Sequence, residues 1–173
     1  MHSRSGAAAV HAFLGRIQQT LSCVTPGVLI EGQFGPDPVR AATFGSRYVP
    51  MRGRYRLELS ILHEHELIQA DNRWSLHAAG YSYQIRQADG PEIAAFHWHP
   101  RSALSPVTFP HLHIERPVSP VDIGSGRHIP TGHVSIEAVV RFLIKELHVR
   151  PLRADWESVI TDNEAHFDAI RTW

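Results

Sequence analysis

The chain has 173 residues and equal numbers of basic and acidic side chains, 17 of each, so its formal net charge is zero. This balance excludes a global attraction for nucleic acid, and any basic surface has to be local. A single cysteine, Cys23, excludes an internal disulfide and a thiolate metal site and is typical of the reducing cytosol. The sequence also lacks the long apolar run of a signal peptide or a membrane span. We therefore expect one soluble, cytoplasmic domain over residues 1–173.

The N-terminal part of the chain predicts a helix and a short strand. Apolar residues recur at helical spacing over residues 6–22, and Pro26 lies just beyond the expected end of this amphipathic helix. Residues 28–34 are a short strand candidate. Glycine and proline interrupt residues 35–50, so we expect loop there with at most one weak strand.

The middle of the chain has the period of a sheet. Apolar and polar residues alternate cleanly from Arg54 to Leu62, which predicts a strand. We expect the following His63-Glu64-His65 to form a turn or short kink before a further strand. Residues 74–87 predict a longer strand, and Ala88-Asp89-Gly90 supplies a hairpin turn into a strand over residues 93–99.

The C-terminal part is predicted to be helical. Ser135 is a good N-cap for a helix whose apolar stripe continues to about residue 148. Asp155 can cap a further helix from Trp156, where capping-box spacing at 161–164 indicates two short helices rather than one. The whole pattern predicts an α+β fold, a mainly antiparallel sheet with an N-terminal helix and two to three C-terminal helices packed on one face. The other face of the sheet is then available for a site.

Two His-x-His pairs, His97 with His99 and His111 with His113, are the main functional signal. Successive side chains of a strand alternate between faces, so each pair shares one face, and Glu115 continues the second pair. The intervening residues are large and apolar. We therefore expect all four imidazoles to converge on the face of the sheet that is turned away from the core.

Three interpretations of this cluster are open. In general acid-base catalysis His111 and His113 would be the acid-base pair. His97 or His99 would then assist, and no cofactor is required when RNA is cleaved through its own 2′-hydroxyl. A metal site for zinc, iron or manganese would use three of the four histidines, or two of them with Glu115. In the third interpretation the histidines are half-exposed polar residues of a protein that binds a partner and is not an enzyme.

A Pro-, Gly- and Ser-rich stretch at residues 117–132 predicts a long loop, and loops of this length in compact domains are often functional. Arg127 and His128 in this loop would bind substrate phosphate. His133 and Arg101, which lie near the two pairs in sequence, are further candidate substrate-binding residues.

Two weaker signals favour ordinary structural roles. His63 and His65 would share one face of a strand, but nothing else marks their position, so a structural or solvated role is favoured. Arg54, Arg56 and Arg86 could hold phosphate with their guanidinium groups, although a solvated role is favoured for them as well.

The order of several features resembles a known family. Tyr-x-Tyr at 81–83, an Asp-Gly hairpin at 89–90, a His-bearing strand, Phe-Pro-His-Leu-His at 109–113 and a Ser-led apolar helix resemble the TumE-like toxins of prokaryotic toxin-antitoxin systems. The resemblance covers about residues 54–148, and residues 149–173 form a helical extension. It implies a small toxin that acts on RNA and has a cognate antitoxin as partner, and a homodimer is left open. The resulting hypothesis is a histidine-dependent ribonuclease, with a metal-dependent enzyme or a non-enzymatic binding protein as alternatives.

Overall fold

The protein folds as an antiparallel sheet with three helices, which is the predicted α+β class. The computed structural model describes residues 5–32, 39–101, 106–115 and 128–170. None of the helices in these ranges is long and apolar enough to cross a membrane.

The described elements run from one helix through eight strands to two helices. Their bounds are α1 (Gly6–Leu21), β1 (Leu29–Gly32), β2 (Val39–Phe44), β3 (Val49–Pro50), β4 (Leu57–Ala70), β5 (Arg73–Gln87), β6 (Glu92–Trp98), β7 (His111–Ile114), β8 (Ile129–Pro130), α2 (Ile136–Lys145) and α3 (Trp156–Ile170). In the sheet the strands lie in the order β1-β2-β4-β5-β6-β7-β8, β3 pairs with β4, and all neighbours are antiparallel.

Two hairpin turns connect the three central strands. Asp71 and Asn72, between β4 and β5, have φ of 49° and 58°, a left-handed conformation that Asp and Asn tolerate and that two-residue hairpin turns require. Asp89, with φ of 57°, lies in the predicted turn between β5 and β6. These tight turns place β4, β5 and β6 side by side.

The three helices pack on one face of this sheet, as predicted. The Ser135 hydroxyl accepts a hydrogen bond of 3.2 Å from the amide of Ala138, which confirms the expected N-cap of α2. The apolar stripe of α2 then contributes to a core shared with α1, α3 and the central strands. The core cluster includes Ile17, Leu21, Leu59, Ile61, Tyr81, Tyr83, Ile85, Val139, Val140, Leu143 and Ile160.

Two local predictions are wrong and a third is right only in part, and in each case long-range contacts decide the outcome. The turn or short kink expected at His63-Glu64-His65 is a β-bulge between Glu64 and His65, and β4 continues through it as a single strand. The stretch expected to be mostly loop forms β2 and β3, because both pair with β4. The C-terminal helix continues through residues 161–164 as one element, and Asn163 there donates a hydrogen bond of 3.0 Å to the Thr20 hydroxyl of α1.

Candidate metal centre

The two His-x-His pairs lie on β6 and β7, and the strand register decides which side they face. Phe96 is the cross-strand partner of Tyr83, whose ring is buried in the core. His97, the next residue, therefore points to the opposite face, where it is paired directly with His111. His113 lies two residues from His111 and shares that face. The imidazoles are thus on the side of the sheet turned away from the helices, as predicted.

The apolar side of this arrangement is only partly as predicted. Phe96 and Trp98 of β6 pack against the core, and the Phe96 ring meets the Phe142 ring edge-on with centroids 6.0 Å apart. All four side chains are half-buried, but Leu112 and Ile114 of β7 are outside the core cluster found among the described residues. The difference follows from position, because β7 is one strand from the edge of the sheet.

Five imidazoles meet on the face that is turned away from the helices. The His97 ring centroid lies 5.5 Å from that of His99, 5.6 Å from His111 and 4.9 Å from His113. The rings of His111 and His113 are 4.9 Å apart. The exposed ring of His128 lies 4.8 Å from His111 and 4.5 Å from His113. The predicted convergence of four imidazoles is confirmed, and His128 joins them.

The nitrogens of three of these rings lie close enough together to be candidate ligands of one metal ion. Candidate ligand atoms of His97, His111 and His113 all lie within 4.8 Å of one another. The Nδ1–H of His111 donates to the Phe109 carbonyl at 2.8 Å, which leaves its Nε2 with a free lone pair. The Nε2 atoms of His97 and His113 are buried, and each lacks a hydrogen-bond partner in the described part of the chain. Buried nitrogens of this kind are costly unless something binds them.

Burial keeps these imidazoles neutral. Desolvation, followed by repulsion from the imidazoles of His113, His99, His111 and His128, lowers the pKa of His97 to about 4. The pKa of His111 and that of His113 are also lowered, in each case mainly by desolvation. Because only a neutral imidazole can ligate a metal, the three side chains are in the binding form at neutral pH.

The donor set fits zinc or another divalent transition metal. Three imidazoles with an open fourth position are a known catalytic zinc geometry, with Zn–N bonds of about 2.0 Å and hence nitrogens about 3.3 Å apart. Glu115, two residues beyond His113, raises the pKa of His113 and thereby opposes part of the desolvation. Its carboxylate is outside the group of three ligand atoms found among the described residues.

A carboxylate that the sequence did not single out reaches the same face. Glu64 of β4 lies between the inward-facing His63 and His65, and its Oε2 is 4.0 Å from Nδ1 of His99. Gly80 of β5 makes room for it, because a Cβ there would lie 2.3 Å from that oxygen. Strand alternation around His63 and His65 was the signal available for Glu64, since the residue between two inward-facing side chains must face outward.

The other predicted substrate-binding residues are dispersed. Arg101 forms an ion pair with Glu66. His133 packs its ring edge-on against Trp98, with centroids 4.2 Å apart, on the helix-covered side of the sheet and away from the cluster. Arg127 lies outside the described residues.

No known family, curated protein or solved structure matches the chain. The resemblance to the TumE-like toxins therefore stays a prediction.

Proposed function

We propose that the chain is a metal-dependent hydrolase whose divalent metal is bound by His97, His111 and His113. The observation that carries the proposal is that ligand atoms of these three histidines lie within 4.8 Å of one another, on rings of which two, His97 and His113, have a buried Nε2 without a described partner. Zinc suits three imidazoles best, and iron and manganese are the alternatives.

The residues around the metal position have separate roles in this proposal. When bound, the metal would lower the pKa of a coordinated water toward neutrality and so supply a nucleophile. His99, with Glu64 beside it, would accept the proton that the attacking water loses. His128, exposed and next to both histidines of β7, would complete the coordination or protonate the leaving group.

RNA is the substrate that we propose, and the reaction is hydrolysis of its phosphodiester bonds. This choice rests on the resemblance over residues 54–148, as do the toxin role, the cytoplasmic location and the antitoxin partner. The metal site itself does not depend on them.

The alternative mechanism for an RNA-cleaving enzyme is cleavage without a metal. It requires one imidazole protonated and another neutral at the working pH. Burial works against this, because the pKa values of His97, His111 and His113 are all shifted toward the neutral form. Activity that persists in a chelator would favour this alternative.

The test is the metal content of protein purified without a histidine tag. We expect about one equivalent of zinc per chain, as a single three-histidine site requires. His97→Ala and His113→Ala should each abolish it. His11→Ala, which removes an exposed histidine of α1, is the matched control and should retain the metal.

Activity is then measured on single-stranded RNA with metal-loaded and chelator-treated protein. Cleavage should disappear in the chelator and return when zinc is added. Failure to bind zinc, iron or manganese at micromolar concentrations would contradict the metal site. Stoichiometric metal without RNA cleavage would contradict only the choice of substrate.

A further inference from the structure

A cleft at one end of the sheet, where β4 begins and β5 ends, is formed by two basic segments distant in sequence. Gly53 and Val149 form an isolated antiparallel bridge, and the amide of Arg150 donates to the Arg52 carbonyl at 2.6 Å. A Cβ at position 53 would lie 2.8 Å from the carbonyl oxygen of His148, so glycine permits this close approach. The fold thus joins residues 52–56 to residues 148–150 in one wall.

The charge of this cleft departs from that of the whole chain. Two acidic residues, Glu58 and Asp89, also line it, and Glu58 is already paired with Arg86, whose Nε lies 2.7 Å from its Oε2. Positive charge is therefore in excess here, although the chain as a whole is neutral. The basic residues of the lining are Arg52, Arg54, Arg56, His148 and Arg150.

Two exposed rings lie at the cleft: His148 belongs to its lining, and Tyr55 lies beside the lining, between Arg54 and Arg56 in sequence. Tyr55 is 43% exposed, and the guanidinium carbon of Arg54 lies 5.5 Å from the centre of its ring. The ring of His148, also exposed, is 6.4 Å from that of Tyr55. Guanidinium groups bind phosphate, and exposed planar rings stack on unpaired bases. The two together are the features that single-stranded nucleic acid requires.

The backbone at the cleft is held in an unfavourable conformation. Arg56 has φ of 49°, in the left-handed region that residues other than Gly, Asn, Asp and His rarely adopt, and His148 has φ of 52° in the same region. Both line the cleft. Strained residues of this kind persist where the surrounding structure enforces them and are concentrated at binding sites.

We infer that this arginine-lined cleft binds single-stranded nucleic acid, with arginines on the phosphates and Tyr55 stacked on a base. Duplex should bind less well, because its bases are already stacked and paired. The inference does not depend on the metal at the histidine cluster, so binding is measured in a chelator. If the cleft does not bind single-stranded nucleic acid, the proposed hydrolase is unaffected. If the hydrolase proposal fails, the inference about the cleft is likewise unaffected.

The experiment measures fluorescence anisotropy of a labelled oligouridylate of about 12 nucleotides, a length within the range that one domain covers. Tyr55→Ala should weaken binding roughly 5- to 100-fold, the usual effect of losing one base stack, while Tyr55→Phe should stay within about twofold. Both changes are at an exposed position, so the fold should be retained.

The arginines are tested by salt dependence. Arg52→Gln combined with Arg54→Gln should reduce the slope of log affinity against log salt by about 1.4, or about 0.7 for each lost phosphate contact on a single strand. Arg40→Gln combined with Arg47→Gln changes the net charge equally outside the cleft and should leave the affinity within about twofold.

Three results would overturn the inference. One is equal affinity for duplex and single strand with no effect of Tyr55→Ala, which would indicate a nonspecific basic surface. Another is tighter binding of anionic lipid vesicles or of a phosphopeptide than of the oligouridylate. The third is an equal loss of affinity in the control double variant.

Discussion

The same local pattern, two histidines separated by one residue, occurs in two regions of the sheet with opposite outcomes. On β4, His63 and His65 are 8% and 0% exposed and lie beneath α1, where the Phe13 ring contacts both. The Nδ1 of His63 is hydrogen-bonded to the Tyr83 hydroxyl at 2.8 Å, and Nε2 of His65 to the Glu31 carboxylate at 3.1 Å. These two histidines are part of the core, which confirms the structural role that was favoured for them.

The pairs on β6 and β7 lie on the other face of the same sheet. There the rings of His97, His111 and His113 lie within 6 Å of one another. An unpartnered ring nitrogen does not separate the two regions, because Nε2 of His63 and Nδ1 of His65 also lack a partner among the described residues, as do Nε2 of His97 and of His113. The comparison shows that His-x-His spacing in a strand establishes a shared face and nothing more. Whether that face becomes core or site depends on which side the helices cover.

The difference between the two faces should appear most strongly in core packing. Leu143 of α2 is fully buried against the covered face, so Leu143→Ala should reduce the free energy of unfolding by about 2–5 kcal/mol through lost burial and a residual cavity. Leu62→Ala makes the same change on the face of β4 that is turned away from the helices, where the side chain is half-buried. It should reduce the free energy of unfolding by less than half as much as Leu143→Ala does. Urea unfolding measures both. Equal losses would mean that the two faces are equally packed.

A second measurement compares the two kinds of histidine directly. His65→Ala removes a fully buried ring and its bond to Glu31, and should cost about 2–4 kcal/mol of unfolding free energy. His113→Ala, measured in a chelator, removes a ring whose Nε2 makes no described hydrogen bond and should cost less than about 1 kcal/mol. A large loss at His113 in the absence of metal would show that this cluster is structural too.

The smallest expected effect is a pH dependence that originates in the core pair. Desolvation, with a smaller contribution from His65, lowers the pKa of His63 to about 3 from an ordinary value of 6.5. Above pH 6.5 His63 is neutral in both the folded and the unfolded protein, so the lowered pKa then has no effect on stability. As the pH falls from about 7 to 5 the unfolded chain takes up a proton that the folded protein excludes, so stability decreases by about 2 kcal/mol. Over the same pH interval the free energy of unfolding of the His63→Gln protein should decrease by about that much less than that of the unchanged protein. The other histidines contribute equally to both proteins. Identical pH slopes in urea unfolding would contradict a buried, neutral His63.

Much of the fold follows from local sequence patterns. The apolar stripe after Ser135 predicts α2 because its period matches the helix, and Asp89 with Gly90 predicts the hairpin between β5 and β6. Elements with weak local patterns are the ones that prediction misses. β8, a two-residue strand, is defined by its pairing with β7 and has no period of its own.

Charged and polar residues show the same difference between what local spacing predicts and what tertiary contacts decide. Glu137 and Arg141, four residues apart on a helix, predict a solvated ion pair. Instead Glu137 is 4% exposed and accepts a hydrogen bond from Thr20 of α1, while Arg141 pairs with Glu164 of α3. Helical spacing specifies which residues are neighbours on one helix, and it carries no information about the helices that pack against them.

The sequence by itself determined the shared face within each histidine pair, because strand alternation depends only on the position of residues along one chain segment. It likewise determined the amphipathic helices that cover a sheet. Tertiary structure alone decided that α1 covers His63 and His65, that His128 reaches the β7 histidines and that Glu64 lies beside His99. It also decided that residues 52–56 and 148–150 form one arginine-lined cleft. The physical reason is that each of these contacts joins segments distant in the chain, and their meeting is set by strand register and helix packing rather than by any local period.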